Sequence, residues 1–307
     1  MTTLWITGAG GVVGGKLVEQ AAGADRYDRI LALSHASAPD LAARYPAIEW
    51  ATLDLSDHDA VMAQARLAPP DVVINPAAMT NVDACESRHG DARRANVDGP
   101  RALAKVCRDR GAHLLHVSTD YVFPGDADQP GPYAEDATPR AINYYGQSKL
   151  DGERAIHAIC DNATPATIVR TALVYGLGRR SNFVTWLAGE LRAGKRPRIV
   201  RDQFNTPTIA DDLAAVLLWL AEHRRTGIYH AAGPDLVGRH EWALAIANHF
   251  ALDTSLIDWV TSAELAQPAA RPLRSGLTCA RLLAEPAAPR LRGIACGLSD
   301  IDWLSSR

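Results

Sequence analysis

The chain has 307 residues, with 32 Lys and Arg against 35 Asp and Glu and a formal net charge of −3. Hydrophobic residues make up 47% and charged residues 22%, a balance typical of a globular protein with one large or two smaller domains. The near-neutral charge argues against nucleic-acid binding, and no apolar run approaches the roughly 20 residues that a membrane span needs.

The first half of the chain alternates short apolar runs with segments long enough for a helix. The runs are Leu4–Ile6, Ile30–Leu33, Ile48–Leu53, Val72–Ile74, His113–Val117 and Thr167–Val169. Short apolar runs separated in this way are typical of strands buried on both faces of a parallel sheet. The pattern therefore predicts an α/β protein with a doubly wound parallel sheet, the Rossmann architecture.

Beyond about residue 175 the regular alternation of short apolar runs and helical segments ends. Helical patterns cover Phe183–Ala193, Asp211–Arg224 and His240–Phe250, and a short strand is predicted at Ile228–Ala231. We therefore expect a dinucleotide-binding domain over residues 1–175. Residues 176–307 are predicted to form a smaller lobe against the carboxyl edge of the sheet, where α/β proteins bind ligands. Because a strand is predicted in this second part, some of it could join the main sheet.

A glycine-rich turn follows the first predicted strand, with Gly8, Gly11 and Gly14 ahead of a helix. Glycine lets backbone amides and a helix N-terminus approach a pyrophosphate closely. A strand before and a helix after the turn form the context in which this triplet indicates dinucleotide binding. The candidate cofactor-binding residues of the turn are Gly8, Gly10, Gly11, Val12, Val13 and Gly14.

Cofactor choice depends on the end of the second strand, where an acidic residue would bind a ribose 2′-hydroxyl. This chain has Ser34 and His35 there, with no carboxylate and no neighbouring arginine. The missing acid and the Ser34 hydroxyl favour NADPH, with NADH as the alternative. Asp54 and Leu55, after the third strand, are placed to meet the adenine, although Asp54 could equally cap a helix.

Tyr145 and Lys149 stand four residues apart, so on a helix they share one face. Thr119 ends the fifth predicted strand and adds a hydroxyl. Carbonyl reduction needs such a set, because a phenol with an ordinary pKa of ~10 must deliver a proton. A lysine and an oxidised nicotinamide would lower that pKa, and Thr119 would polarise the carbonyl. Tyr144 has Ser148 at the same spacing, so Tyr145 is the predicted acid.

These motifs resemble the extended short-chain dehydrogenase/reductases, and within them the dTDP-4-dehydrorhamnose reductases. The resemblance runs along nearly the whole chain, and its most specific parts are the Ser118–Phe123 and Asp202–Thr208 runs. Other matching stretches are Asn75–Ala78, Asn96–Pro100, Tyr145–Glu153, Arg170–Gly176 and Arg271–Ser275.

The resemblance implies that Thr119, Tyr145 and Lys149 are catalytic and that Asp120 and Tyr121 line the sugar pocket. It implies cofactor contacts along Ala77, Ala78, Thr80 and Thr171, besides Tyr145 and Lys149. Further substrate candidates are Asn182, Phe183, Gln203, Thr206 and Arg271, each of which could equally be a cap or a surface residue. Asn96 is expected to brace the catalytic helix.

At two positions the sequence differs from the residue patterns of related proteins, and both differences bear on the expected chemistry. Related dehydratases follow the threonine with Asp-Glu, but here Asp120 is followed by Tyr121, which favours plain ketone reduction. Some relatives hold a dimer-bridging Mg²⁺ on glutamates, and Lys16 stands at one matching position, so we expect no metal.

The sequence also indicates the cellular compartment in which we expect the protein. The N-terminus does not resemble a signal peptide, and five widely spaced cysteines without a CxxC pair favour free thiols in a reducing cytoplasm. The Asn162-Ala163-Thr164 triplet matches a glycosylation acceptor that a cytoplasmic protein would not use.

The expected activity is NADPH-dependent reduction of the 4-keto group of a nucleotide-linked 6-deoxy sugar, with the proton coming from Tyr145. One alternative is a non-catalytic NADP-binding regulatory subunit resembling the methionine adenosyltransferase β-subunit. Another is an epimerase or a reductase of a different nucleotide sugar. The expected partner is the nucleotide-sugar substrate, and neither nucleic acid nor a membrane is expected. The sequence is compatible with a homodimer.

Overall fold

A computed structural model describes residues 2–24, 26–160 and 164–301 of the chain. Asn162 and Ala163 of the acceptor triplet lie outside these ranges, as do residue 1 of the predicted first domain and residues 302–307 of the predicted second lobe. In chain order the strands are β1 (Thr3–Ile6), β2 (Arg29–Ser34), β3 (Glu49–Thr52), β4 (Val72–Asn75), β5 (His113–Thr119), β6 (Ala166–Thr171), β7 (Val174–Tyr175), β8 (Arg198–Val200), β9 (Phe204–Asn205), β10 (Thr208–Ile209), β11 (Gly227–His230), β12 (Val237–Gly238) and β13 (Asp258–Val260).

The helices complete the element list. They are α1 (Val12–Ala22), α2 (Pro39–Arg44), α3 (His58–Leu67), α4 (Val82–Ser87), α5 (His89–Arg93), α6 (Gly99–Arg110), α7 (Tyr144–His157), α8 (Phe183–Arg192), α9 (Ala210–Glu222), α10 (Arg239–His249), α11 (Ser262–Leu265), α12 (Ala280–Leu283) and α13 (Ile294–Ser299). A π-helical turn, Arg94–Asp98, joins α5 to α6, and single 3₁₀ turns cover Asp120–Val122 and Thr254–Leu256. None of the described helices is both long and apolar enough to cross a membrane.

Seven parallel strands form the central sheet in the order β11-β6-β5-β4-β1-β2-β3. The chain starts in the middle at β1, winds outward to β3, and then returns to build the other half. Strands β1 and β4 are buried along their whole length, as the apolar runs predict for strands covered on both faces. The predicted doubly wound α/β fold is therefore confirmed.

Helices cover both faces of the sheet. On one face Leu17 and Val18 of α1 pack with Leu213 and Leu217 of α9 in one apolar core. On the other face α3, α6 and the end of α7 contribute to a second core that includes Leu103. Burial of these apolar side chains supplies the main favourable free energy of the domain.

The part of the chain after β7 splits between the main sheet and a separate lobe. Strand β11 pairs in parallel with β6, and α9 packs on α1, so both belong to the central layers. Helices α8, α10 and α13 share their own apolar core with Trp242 at its centre. The division at residue 175 stays a prediction, and the strand pairing shows which later segments return to the sheet.

The carboxyl ends of the parallel strands all open toward this lobe, and the loops at that edge form the walls of a cleft. The turn after β1, the segment after β2, the end of β5 and the start of α7 meet there. Parallel α/β sheets bind ligands at this edge, so the fold brings residues from distant parts of the sequence to one place.

Candidate active site

The glycine turn between β1 and α1 is shaped by two close backbone approaches. Gly8 has φ of +56°, a left-handed conformation that favours glycine. An ideal Cβ built on Gly14 would lie 2.1 Å from the Gly8 carbonyl oxygen, so no side chain fits there. Gly11 donates its amide to the Gly8 carbonyl at 2.8 Å, and α1 begins immediately afterwards at Val12. The turn therefore brings a helix N-terminus to the cleft without an intervening side chain, as a pyrophosphate requires.

The cleft has a volume of about 1080 Å³. All the residues predicted to bind the cofactor line it, namely Gly8, Gly10, Gly11, Val12, Val13, Gly14, Ser34, His35, Asp54, Leu55, Ala77, Ala78, Thr80, Tyr145, Lys149 and Thr171. A dinucleotide thus finds a glycine cradle, a helix N-terminus and an apolar wall in one continuous groove.

One end of the cleft lies between β2 and β3. Ser34 closes β2 and donates its hydroxyl to the Ala36 carbonyl. Asp54 accepts hydrogen bonds from the Ser56 amide and hydroxyl at 2.9 and 2.8 Å, which hold the pKa of its carboxyl below the ordinary value. Asp57, rather than Asp54, caps α3 by accepting from the Ala60 amide. Asp54 is therefore a turn residue on the cleft wall and not a helix cap.

Thr119 and Tyr145 meet at the centre of the cleft. Thr119 is the last residue of β5, and Tyr145 lies in the first turn of α7, whose N-terminus Asn143 caps by accepting from the Gly146 amide at 2.8 Å. An ideal Cβ on Gly146 would lie 2.1 Å from the Tyr121 carbonyl oxygen, so glycine lets the helix start approach the strand end. The rings of Tyr145 and Tyr121 meet edge to face, with centroids 5.6 Å apart.

Burial controls the pKa of the Tyr145 phenol. It raises that pKa well above the ordinary value, and the nearby carboxyl of Asp120 raises it further, while a hydrogen bond with Thr119 acts in the opposite direction. The sequence predicts that lysine and an oxidised nicotinamide would lower this pKa. In the protein alone desolvation is the larger effect, so the phenol is protonated at neutral pH.

Lys149 is buried, with 1% of its surface exposed. Its ammonium donates to the Val117 carbonyl at 2.7 Å and lies 3.1 Å from His116 Nε2. Burial lowers the pKa of Lys149 to about 8, partly offset by Glu153 one turn further along the helix. The side chain is thus fixed at the end of β5, beneath the turn that carries Tyr145.

A buried chain of hydrogen bonds runs from the glycine turn to His116, whose ring lies beside Lys149. The side-chain oxygen of Asn75 accepts from the Thr7 hydroxyl at 2.6 Å and from the Ala77 amide at 3.2 Å. Its side-chain nitrogen is therefore the donor to His116 Nδ1 at 2.9 Å. His116 contacts Lys149 with its second nitrogen. Burial and the neighbouring Lys149 lower the pKa of His116 well below its usual range, so the imidazole is neutral.

Asn96 braces the catalytic helix. It donates to the Ser148 hydroxyl at 2.9 Å, and it exchanges hydrogen bonds with the backbone of Met79 on the cleft wall. An ideal Cβ on Gly152 would lie 2.2 Å from the Asn96 carbonyl oxygen, so the π-helical turn and α7 are in close backbone contact. This position agrees with the expected bracing role.

Four of the predicted substrate residues line the cleft, Asp120, Tyr121, Asn182 and Phe183. Asp120 is buried, and its carboxylate accepts hydrogen bonds from Asn205 at 3.0 Å and from Ser275. Burial raises the pKa of this carboxyl, and those hydrogen bonds act in the opposite direction. Asn182 caps α8 through its side chain, so it serves the helix as well as the wall.

The other three predicted substrate residues, Gln203, Thr206 and Arg271, are not part of the cleft wall. Gln203 donates to the Ser262 hydroxyl at 2.9 Å within the lobe. Thr206 accepts from the Leu277 amide at 3.2 Å. Arg271 pairs with Asp83 at 2.9 Å and is largely buried. All three hold loops together, and their role as substrate residues stays a prediction.

The sequence alone misses several residues of the cleft. Among them are Met79, Arg88, Arg94, Arg179, Arg180 and Trp242. Arg179, Arg180 and Trp242 reach the site through the packing of the loop after β7 and of α10 against the sheet edge, and no local pattern marks them. Arg88 and Arg94 flank α5, and Met79 stands between the predicted residues Ala78 and Thr80, so its neighbours gave a signal for it.

Within the described ranges no cluster of three or more histidine, cysteine or acidic residues is arranged to hold a metal ion. Lys16 forms ion pairs with Asp211 at 2.8 Å and Glu19 at 3.3 Å. Cys85, Cys107 and Cys279 carry buried free thiols, and Cys296 carries an exposed one.

Comparison with known proteins completes the description of the site. The family model of the RmlD substrate binding domain matches residues 1–290. A dTDP-4-dehydrorhamnose reductase of Mycobacterium tuberculosis is 38% identical over 280 residues, covering 90% of this chain and 84% of the relative. A probable dTDP-4,6-dihydroxy-2-methyloxan-3-one 4-ketoreductase of Streptomyces antibioticus is 34% identical, covering 89% and 85%.

Solved structures agree with these matches. A dTDP-4-dehydrorhamnose reductase of Clostridium acetobutylicum has a TM-score of 0.85 at 30% identity and covers 99% of both chains. A dTDP-4-dehydrorhamnose reductase of Bacillus anthracis in complex with NADP has a TM-score of 0.82 at 27% identity, covering 97% of this chain and 98% of that one. The chain therefore belongs to the RmlD substrate binding domain family, within the extended short-chain dehydrogenase/reductases.

Proposed function

We propose that this protein is an NADPH-dependent reductase that converts the 4-keto group of a dTDP-linked 6-deoxy sugar to a hydroxyl group. The observation that carries the proposal is the meeting of Thr119, Tyr145 and Lys149 on the wall that also holds the glycine cradle. Relatives named for this activity cover most of the chain.

NADPH, when bound, supplies the hydride, and the remaining chemistry falls to side chains of this protein. Thr119 donates a hydrogen bond to the ketone oxygen and polarises the carbonyl. Tyr145 transfers its phenolic proton to the same oxygen as negative charge develops on it, so that the phenol O–H bond breaks and the alcohol O–H bond forms. Because burial raises the pKa of Tyr145, the phenol stays protonated and is in the correct state to act as the acid.

Lys149 stabilises the phenolate that remains after proton transfer. Its ammonium carries the nearest positive charge on the helix of Tyr145, one turn away. Asp120 directly follows Thr119. One oxygen of its carboxylate accepts hydrogen bonds from Asn205 and Ser275, and the other accepts from the Thr119 hydroxyl at 3.2 Å. Elimination of water would need a free acid and base beside the sugar, so this arrangement supports reduction rather than dehydration.

We further propose a cytoplasmic location, on the evidence of the free thiols, and leave a homodimer as a prediction. Nucleic acid and membrane remain unexpected as partners, since the chain carries a net charge of −3. NADH remains the alternative cofactor.

The direct test follows NADPH absorbance with purified protein and an enzymatically prepared dTDP-4-keto-6-deoxy sugar. We expect consumption of NADPH in proportion to the keto sugar added, and none with dTDP-glucose, which has no keto group. Reduction of the UDP-linked keto sugar, measured in the same way, tests whether the protein distinguishes thymine from uracil in the nucleotide part of the substrate. If NADPH binds but no keto sugar is reduced, the reductase proposal fails and the regulatory-subunit alternative gains support.

A further inference from the structure

The loop after β7 crosses the glycine turn of the first domain. Gly178 packs so tightly on α1 that an ideal Cβ there would lie 3.2 Å from Val12 Cα. Next to it, Arg179 Nη1 lies 3.6 Å from the position that a Cβ on Gly10 would occupy. The guanidinium therefore lies directly over the glycine turn, where Gly10 presents no side chain, and it lines the cleft.

The same guanidinium reaches the segment that follows β2. Arg179 Nε lies 3.1 Å from the carboxylate of Asp40, in α2. Ser34, the last residue of β2, and His35 and Ser37, which lie between β2 and α2, form the adjoining wall of the cleft. Arg179 thus lies between the glycine turn and the end of the second strand, which are the two segments that surround the adenosine ribose in a Rossmann domain.

The charges at this end of the cleft leave a role for a cation. No carboxylate follows Ser34 to bind a ribose 2′-hydroxyl, and no arginine is near it in the sequence. Arg179 supplies that arginine from the other half of the chain. A planar guanidinium matches phosphate oxygens in charge and geometry, and an arginine at this place accommodates a 2′-phosphate.

Asp40 is the partner that a phosphate would have to replace. Both members of the ion pair are partly exposed, Arg179 at 40% and Asp40 at 57% of the side chain. Exposed ion pairs contribute little to stability, so the pair can open at low cost. Other charged side chains on this wall are Arg180, Asp54 and Arg94, and Arg44 lies nearby, 3.7 Å from Glu19.

We propose that Arg179 exchanges Asp40 for the 2′-phosphate of NADPH and so determines the preference for NADPH over NADH. This inference rests on the cofactor of the proposed function and adds the residue that selects it. Asp40 acts against the phosphate in two ways, because it holds the guanidinium and repels the incoming charge. The two residues are therefore expected to have opposite effects on the same ligand.

The test measures dissociation constants of the full-length protein for NADPH and NADH by fluorescence, and for adenosine 2′,5′-bisphosphate and AMP by calorimetry. We expect Arg179→Gln to weaken NADPH and the bisphosphate by roughly ten- to a hundredfold, as expected for a lost charge-assisted hydrogen bond. NADH and AMP should change by less than about threefold, since they lack the phosphate. Asp40→Asn should tighten NADPH binding and leave NADH unchanged.

Arg44→Gln is the matched control, since Arg44 is an exposed arginine of α2 outside the cleft wall. We expect it to leave the ratio of the NADPH and NADH dissociation constants unchanged. The inference is overturned if Arg179→Gln weakens both nucleotides equally, if it weakens neither, or if Asp40→Asn weakens NADPH. Because these are binding measurements, a wild type that binds NADPH but reduces no keto sugar would overturn the proposed function alone.

Discussion

Burial of Lys149 should cost the protein stability, and replacing it should show this cost. Burial lowers its pKa from the ordinary 10.5 to about 8 in the folded state, and only 1% of the side chain is exposed. That difference corresponds to about 3 kcal/mol against folding at pH 7, because each pKa unit is worth about 1.4 kcal/mol. Lys149→Met removes the charge and keeps a similar volume, but it also loses the hydrogen bond to Val117, worth about 1 kcal/mol. We therefore expect the variant to be about 2 kcal/mol more stable at pH 7.

The pH dependence gives the sign of the effect. Between pH 8 and 10.5 the unfolded chain holds the lysine proton and the folded protein releases it, so wild-type stability rises with pH relative to the variant. Below about pH 8 the difference should be constant, and near pH 10.5 only the lost hydrogen bond should remain, leaving the variant slightly less stable. The buried residue proposed for catalysis would thus destabilise the fold throughout the neutral range.

Urea unfolding of the cofactor-free wild type and variant, repeated from pH 6.5 to 10, measures this difference. The exposed Lys195, which pairs with Glu190 at 2.9 Å, provides the matched control. Lys195→Met should change the free energy of unfolding by less than about 0.5 kcal/mol. A Lys149→Met protein that is less stable than wild type at pH 7, or a difference that does not vary with pH, would show that burial of the ammonium does not destabilise the fold.

Two further variants test the cradle and the core behind the site. Gly14→Ala places a Cβ 2.1 Å from the Gly8 carbonyl oxygen, so we expect NADPH binding to weaken more than tenfold in a fluorescence titration. Gly15→Ala, where the nearest atom is 3.8 Å away, should keep normal binding, and similar affinities for the two variants would contradict this account. Glu153→Gln breaks the buried ion pair with Arg170, whose side chains are 3% and 2% exposed, and should cost about 3–5 kcal/mol in urea unfolding. A loss below about 1 kcal/mol would show that Arg170 finds another partner.

Local patterns were enough to predict the sheet. The apolar run His113–Val117 became β5, which extends to Thr119 because Ser118 and Thr119 pair with Arg170 and Thr171 of β6. The pairing of two-residue strands, such as β7 with β10, could not be predicted. Such short segments have no periodicity of their own, and only the packing of the lobe brings them together.

The candidate site likewise contains residues that local patterns predict and residues that they do not. Residues that belong to contiguous motifs, such as Tyr145 and Lys149, could be placed on one wall from spacing alone. Arg179 could not, because its position over Gly10 depends on how the loop after β7 packs against α1. The raised pKa of Tyr145 was also beyond the sequence, since it follows from burial, which only the folded structure defines. Contacts between distant segments and the electrostatics of burial therefore needed the structure.

In the proposed reaction Tyr145 supplies the proton. The most direct measurement compares single-turnover reduction of the dTDP-linked keto sugar by wild type, Tyr145→Phe and Tyr144→Phe. Tyr144 is the matched control, because it stacks on His89 with ring centroids 3.8 Å apart. We expect Tyr145→Phe to slow reduction by roughly 10²- to 10⁴-fold with little change in NADPH affinity, and Tyr144→Phe to stay close to wild type. A Tyr145→Phe enzyme as fast as wild type would show that another group supplies the proton.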